Sequence, residues 1–69
     1  MNEVTLIING DQRRVPALAS VQELLEHLGL DARGVVVEVN EHIIRRPHLR
    51  ETTLNEGDRV ELVHFVGGG

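Results

Sequence analysis

Apolar and polar positions change period along the chain, and each change marks an element. In Val4-Thr5-Leu6-Ile7-Ile8, the residues Val4, Leu6 and Ile8 share one parity. That is the spacing of a strand with one buried face. Asn9-Gly10 follows. Both central residues of a type I′ hairpin turn need φ > 0, which this pair tolerates. Gln12 to Val15 is therefore expected to return as the second strand. Pro16 has no N–H to give to a ladder, so the strand should stop there.

The period then lengthens. Val21, Leu24, Leu25 and Leu28 recur at i, i+3, i+4 and i+7, one apolar stripe of a helix. Ser20 and Glu23 form an S-x-x-E capping box at its start, and Ala19 with Leu24 can staple it. Gly29 stands where a left-handed residue would end the helix, with Leu30 placed to make the accompanying apolar contact. A helix of little more than two turns is unstable alone in water. It must lie on a sheet.

Alternation returns in Val35 to Val39, with Val35, Val37 and Val39 on one face and Val36 and Glu38 on the other. Asn40-Glu41-His42 reads as a turn and Ile43-Ile44-Arg45 as a short returning strand. Pro47 to Arg50 can make one helical turn, and Asn55-Glu56-Gly57-Asp58 a second reversal. Arg59 to Val66 is the final strand. The order is hairpin, helix, strand, short strand, strand. A helix between strands implies some parallel pairing. The economical solution is an α+β domain, a mixed sheet of about four to five strands wrapped on one main helix. That is the β-grasp, or ubiquitin-like, architecture. Residues 1–66 would form the domain, and 67–69 a flexible glycine tail. In the last strand, Val60 and Leu62 share one parity, Val63 and Phe65 the other. If the first pair faces the helix, Val63 and Phe65 face outward, and with Val66 they make an apolar partner-binding surface.

Composition narrows the chemistry. At 41% apolar content the chain should fold. There is no Cys, hence no disulfide, thiolate metal site or cysteine nucleophile. All seven basic residues are Arg, against eleven acids, for a net charge of −4. That balance, with Phe65 as the single aromatic, argues against nucleic acid. It would steer the chain toward a basic partner surface. Arg13-Arg14 and Arg45-Arg46 with Arg50 read as solvated charge. His27, His42, His48 and His64 are scattered, and no metal site is expected. Glu23 is explained by its cap, and Glu56 and Asp58 by a turn, so no catalytic carboxylate pair is left. No apolar run is long enough to span a membrane. A reducing cytoplasm fits these features.

The chain closes on Phe65-Val66-Gly67-Gly68-Gly69. Glycine has no Cβ, so such a segment has the thinnest cross-section a peptide can have. Three extended residues reach roughly 10 Å, enough to enter a narrow channel in a partner and deliver a carboxylate. A linker remnant or a frayed strand end reads the same way from the glycines alone.

The combination of segments resembles the ThiS-type sulfur carriers of thiamine biosynthesis, within the ThiS/MoaD group of ubiquitin-like sulfur carriers. The likeness rests on Ile8-Asn9-Gly10, Ser20-Val21-Gln22-Glu23-Leu24-Leu25, Val37 to Asn40, and Ile43-Ile44-Arg45-Arg46. It continues in Asn55-Glu56-Gly57-Asp58-Arg59-Val60-Glu61-Leu62-Val63 and Val66-Gly67-Gly68-Gly69. Leu49 and Arg45 depart from it, standing where the family often has Trp and Pro. The resemblance implies a carrier that is not itself an enzyme and holds no permanent cofactor. A ThiF-type adenylating enzyme would use ATP and Mg to activate Gly69. A sulfur-donating enzyme would convert Gly69 to a thiocarboxylate, and a ThiG-type thiazole synthase would take the sulfur. Gly67 and Gly68 would lie in the partner's channel. The alternatives in the same group are a molybdopterin-synthase small subunit or another sulfur carrier. A ubiquitin-like protein modifier or a plain interaction domain would show the same fold.

Overall fold

The structure, a computed structural model, describes residues 2–18 and 20–65. The proposed staple residue Ala19, the surface residue Val66 and the tail Gly67, Gly68 and Gly69 lie outside the described residues. Five strands and one α-helix are present: β1 (Glu3–Ile8), β2 (Asp11–Pro16), α1 (Val21–His27), β3 (Val35–Val39), β4 (His42–Ile44) and β5 (Arg59–His64). The strands form one sheet in the order β2-β1-β5-β3-β4. All neighbours are antiparallel except β1 and β5, which run parallel.

Local chemistry explains the elements. Asn9 and Gly10 have φ of 50° and 87°, the left-handed pair that a two-residue turn needs between Ile8 and Asp11. Pro16 is the last residue of β2, an edge strand, where its missing N–H leaves no partner unpaired. The Glu23 N–H donates to Ser20 Oγ at 3.3 Å, as the capping box requires. At the other end Gly29 takes φ of 74°. The Gly29 N–H donates to the Glu26 carbonyl and the Leu30 N–H to the Leu25 carbonyl, the bond pair of a Schellman cap. Two further N–H groups at the helix start are satisfied from outside. Val21 donates to the Thr52 carbonyl and Gln22 to that of Leu49.

Two expectations shift. His42 belongs to β4, because Asn40 and Glu41 alone make the turn, with φ of 51° and 74°. The last strand ends at His64, although the Phe65 N–H still donates to the Gly34 carbonyl at 2.9 Å. Single 3₁₀ turns also occur at Ala32–Gly34 and Arg46–His48.

The helix covers one face of the sheet. Leu6 and Ile8 from β1, Val15 from β2, Val35, Val37 and Val39 from β3, and Val60 and Leu62 from β5 pack with Val21, Leu24 and Leu25. Each such side chain contributes about 1.5–3 kcal/mol when fully buried. Leu49 and Leu54, on the connection between β4 and β5, close the core. β5 is central, bonded to both β1 and β3, so the segment that leads to the glycines starts from an internal strand.

Candidate functional site

β5 carries the candidate site. Val60 is fully buried and Leu62 is 8% exposed, whereas Val63 and Phe65 are 58% and 57% exposed. The parity expectation therefore holds: one side of β5 enters the core and the other faces outward. Val63 lies opposite Val36 of β3, and Glu61 opposite Glu38. Phe65 continues the ladder against Gly34, which has no side chain to cover the ring. On this face Val63, Phe65 and Ile43 are each more than half exposed. Val66, Gly67, Gly68 and Gly69 follow in sequence, outside the described residues.

Two turns hold β5 in place through asparagine side chains. Asn9 Oδ1 accepts from the Leu62 N–H at 2.7 Å, and Asn9 Nδ2 donates to the Leu62 carbonyl at 3.2 Å. β1 has ended at Ile8, so the Asn9 amide stands in for one more peptide of the parallel β1–β5 ladder. Asn40 does a similar task at the start of β5. Its Oδ1 accepts from the Arg59 N–H at 3.0 Å, and its Nδ2 donates to Asp58 Oδ1 at 3.1 Å. In both residues a short amide tolerates left-handed backbone and also reaches across the sheet.

Sequence reasoning missed the neighbours of Val63 and Phe65. Ile43 is 64% exposed on β4 and pairs with Glu38, on the same outer face. Ile43, Val36 and Phe65 line one groove with Arg33, Arg45 and Arg46. The signal was available in part. A two-residue Asn40-Glu41 turn fixes the parity of β4, and Val36 was already placed outward. A three-residue turn left Ile43 without a defined side.

The electrostatics are local. Arg33 donates from Nε to Asp31 Oδ1 at 3.1 Å and from Nη2 to Asp31 Oδ2 at 2.8 Å. The Arg33 side chain, with its backbone N–H, lowers the Asp31 pKa to about 2, and Asp31 in turn raises that of Arg33. Among the described residues no three His, Asp or Glu side chains stand together as a metal site. No helix there is long and apolar enough to cross a membrane.

A mixed five-stranded sheet clasping one helix, with a central last strand running toward a glycine end, defines a β-grasp domain of the ubiquitin-like class. Comparison with known proteins narrows this. The sequence profile of the ThiS family matches residues 6–69. The chain is 42% identical over 50 residues to the sulfur carrier protein ThiS of Bacillus subtilis, covering 72% of this chain and 76% of that one. It superposes with a TM-score of 0.82 on the crystal structure of the thiamine biosynthesis protein ThiS from Geobacter metallireducens. That match has 36% identity and covers 96% of this chain and 100% of the other. It is also 42% identical over 64 residues to a thiazole synthase of Paramagnetospirillum magneticum, covering 93% of this chain. There the chain spans only 20% of the relative's length. The chain belongs to the ThiS family.

Proposed function

We propose that this chain is a sulfur carrier of thiamine biosynthesis, with the carboxyl group of Gly69 as the atom set that is activated and loaded. The carrying observation is the family match, which spans residues 6–69 and so includes the last strand and the glycines. The central position of β5 and the uncovered face around Val63 and Phe65 support it.

The chemistry follows from what a carboxylate lacks. It is a poor electrophile, and its oxygen is a poor leaving group. An adenylating partner of the ThiF type, using ATP and Mg, would join the Gly69 carboxylate to AMP and release pyrophosphate. Sulfide-level sulfur released by a sulfur-donating enzyme would then attack the acyl carbon and displace AMP, leaving a thiocarboxylate. Its sulfur would pass to a thiazole synthase. Two thiazole synthases each contain a stretch similar to this chain within one polypeptide, which supports a physical meeting of the two functions. The carrier contributes no acid, base or metal to these steps, so it serves as a protein substrate and not as an enzyme. Gly67 and Gly68 supply a backbone thin enough for a closed channel. Val63, Phe65 and Val66 form the apolar contact beside it. A cytoplasmic location fits a chain without Cys that works with ATP.

Intact mass of the protein from its native cells tests the reading. The expected species carries one oxygen replaced by sulfur at the Gly69 carboxyl. Isopeptide adducts to other proteins would favour a modifier instead. A strain whose chain lacks Gly69 should require added thiamine, and its normal growth without thiamine would overturn the proposal.

A further inference from the structure

The outer-face groove has a sign opposite to that of the chain. Its volume is about 440 Å³, and it is lined by Phe65, Ile43 and Val36 together with Arg33, Arg45 and Arg46. No Asp or Glu lines it. Arg33 is ion-paired with Asp31 at 2.8 Å. Arg45 and Arg46 are exposed and form no contact ion pair among the described residues, although the Arg46 charge also acts on Asp31. The whole chain carries a charge of −4, so two exposed guanidiniums without a contact ion pair, in one groove with an exposed aromatic ring, form a local reversal. Glu38 and Glu61, on the outer face, stand opposite each other in the β3–β5 register and do not line the groove.

We propose that this groove receives an acidic segment of the protein that activates the Gly69 carboxyl. Carboxylates of that segment pair with Arg45 and Arg46, and its apolar side chains lie on Phe65 and Ile43. The inference rests on the carrier reading above and adds the chemistry of the contact. Phe65 lines the groove and precedes residues 66–69, so a protein that holds those residues must also sit against Phe65. Guanidinium forks bind carboxylates in two-point geometry, which gives register as well as attraction. An apolar floor beside them excludes water and strengthens each pair. The net charge sets the long-range field, but within a Debye length of roughly 8–10 Å the groove's own charges dominate.

The test uses the full chain with the adenylating enzyme purified from the native cells, followed by Gly69-dependent ATP–pyrophosphate exchange. Arg45→Glu and Arg46→Glu should each raise the KM for the carrier about tenfold or more while kcat stays within about twofold. Arg13→Glu changes net charge by the same amount on β2, at the opposite edge of the sheet, and should shift KM by no more than about twofold. Arg45→Gln and Arg46→Gln should give intermediate values, and thermal melts should show all these variants folded. If the groove variants behave like Arg13→Glu, the docking proposal is wrong and the carrier reading stands. If the unaltered chain supports no Gly69-dependent exchange, the carrier reading fails and takes the proposal with it.

Discussion

Replacing Asn9 with glycine tests how the last strand is held. The substitution keeps the backbone: Asn9 sits at φ of 50°, where glycine fits without strain. What disappears is the side-chain amide, with its bonds of 2.7 Å and 3.2 Å to the Leu62 N–H and carbonyl. Each hydrogen bond is worth about 0.5–1.5 kcal/mol net, so the loss is about 1–3 kcal/mol. For a domain of this size that lowers Tm by roughly 5–20 °C. Phe65 is the single aromatic residue, so unfolding is followed by far-ultraviolet circular dichroism and not by fluorescence. Hydrogen exchange gives the local reading. The Leu62 amide should exchange faster in Asn9→Gly by more than the global destabilisation explains. Asn9→Asp retains the acceptor but not the donor, so it should protect the Leu62 amide and lose only part of the stability. A Tm within about 1 °C of the parent, with Leu62 as protected as before, would refute the clamp.

Three further outcomes are expected. Glu41 adopts φ of 74°, which costs a non-glycine residue about 1–2 kcal/mol, and glycine returns part of that gain to unfolded-chain entropy. Glu41→Gly should therefore raise Tm by roughly 2–8 °C in a thermal scan, and a lower Tm would contradict the turn assignment. Asp31, held at about 2 by Arg33, should stay ionised well below the usual carboxylate range in a carboxyl-carbon NMR titration. Its folded pKa is depressed, so its stabilising contribution is present above the ordinary value near 3.8 and is lost as pH falls toward 2. Arg33→Ala should bring the midpoint back toward 3.8, and an unmoved midpoint would assign the shift to something else. Finally, Phe65→Ala removes a side chain that is already 57% exposed. It should leave stability within about 0.5 kcal/mol and lower the efficiency of carboxyl activation about tenfold. An unchanged activation rate would remove Phe65 from the contact.

Local features were legible from the chain because their causes lie within a few residues. Ser20 and Glu23 announce the helix start, Gly29 its end, and Asn9-Gly10 the first turn, each through backbone geometry that few other residues tolerate. The alternation of Val35 to Val39 and of Val60 to Phe65 decides which side chains go inward once a core exists. That was enough to expect one helix on a mixed sheet and to turn Val63 and Phe65 outward.

Other features depend on residues far apart in sequence, and only the tertiary structure decided them. The parallel pairing of β1 with β5 joins Ile7 to Arg59, and no local pattern specifies that partner. The Asn9 amide is a turn signal by sequence, but it acquires Leu62 as a partner only when β5 lies beside β1. Ile43 gains a defined side only when Asn40 and Glu41 close the turn by themselves. Arg45 and Arg46 read as solvated charge until the fold places them, just after β4, in one groove with Phe65. Periodicity tells a side chain whether it faces in or out. Which outward side chains become neighbours is set by strand order, and that is a property of the folded sheet.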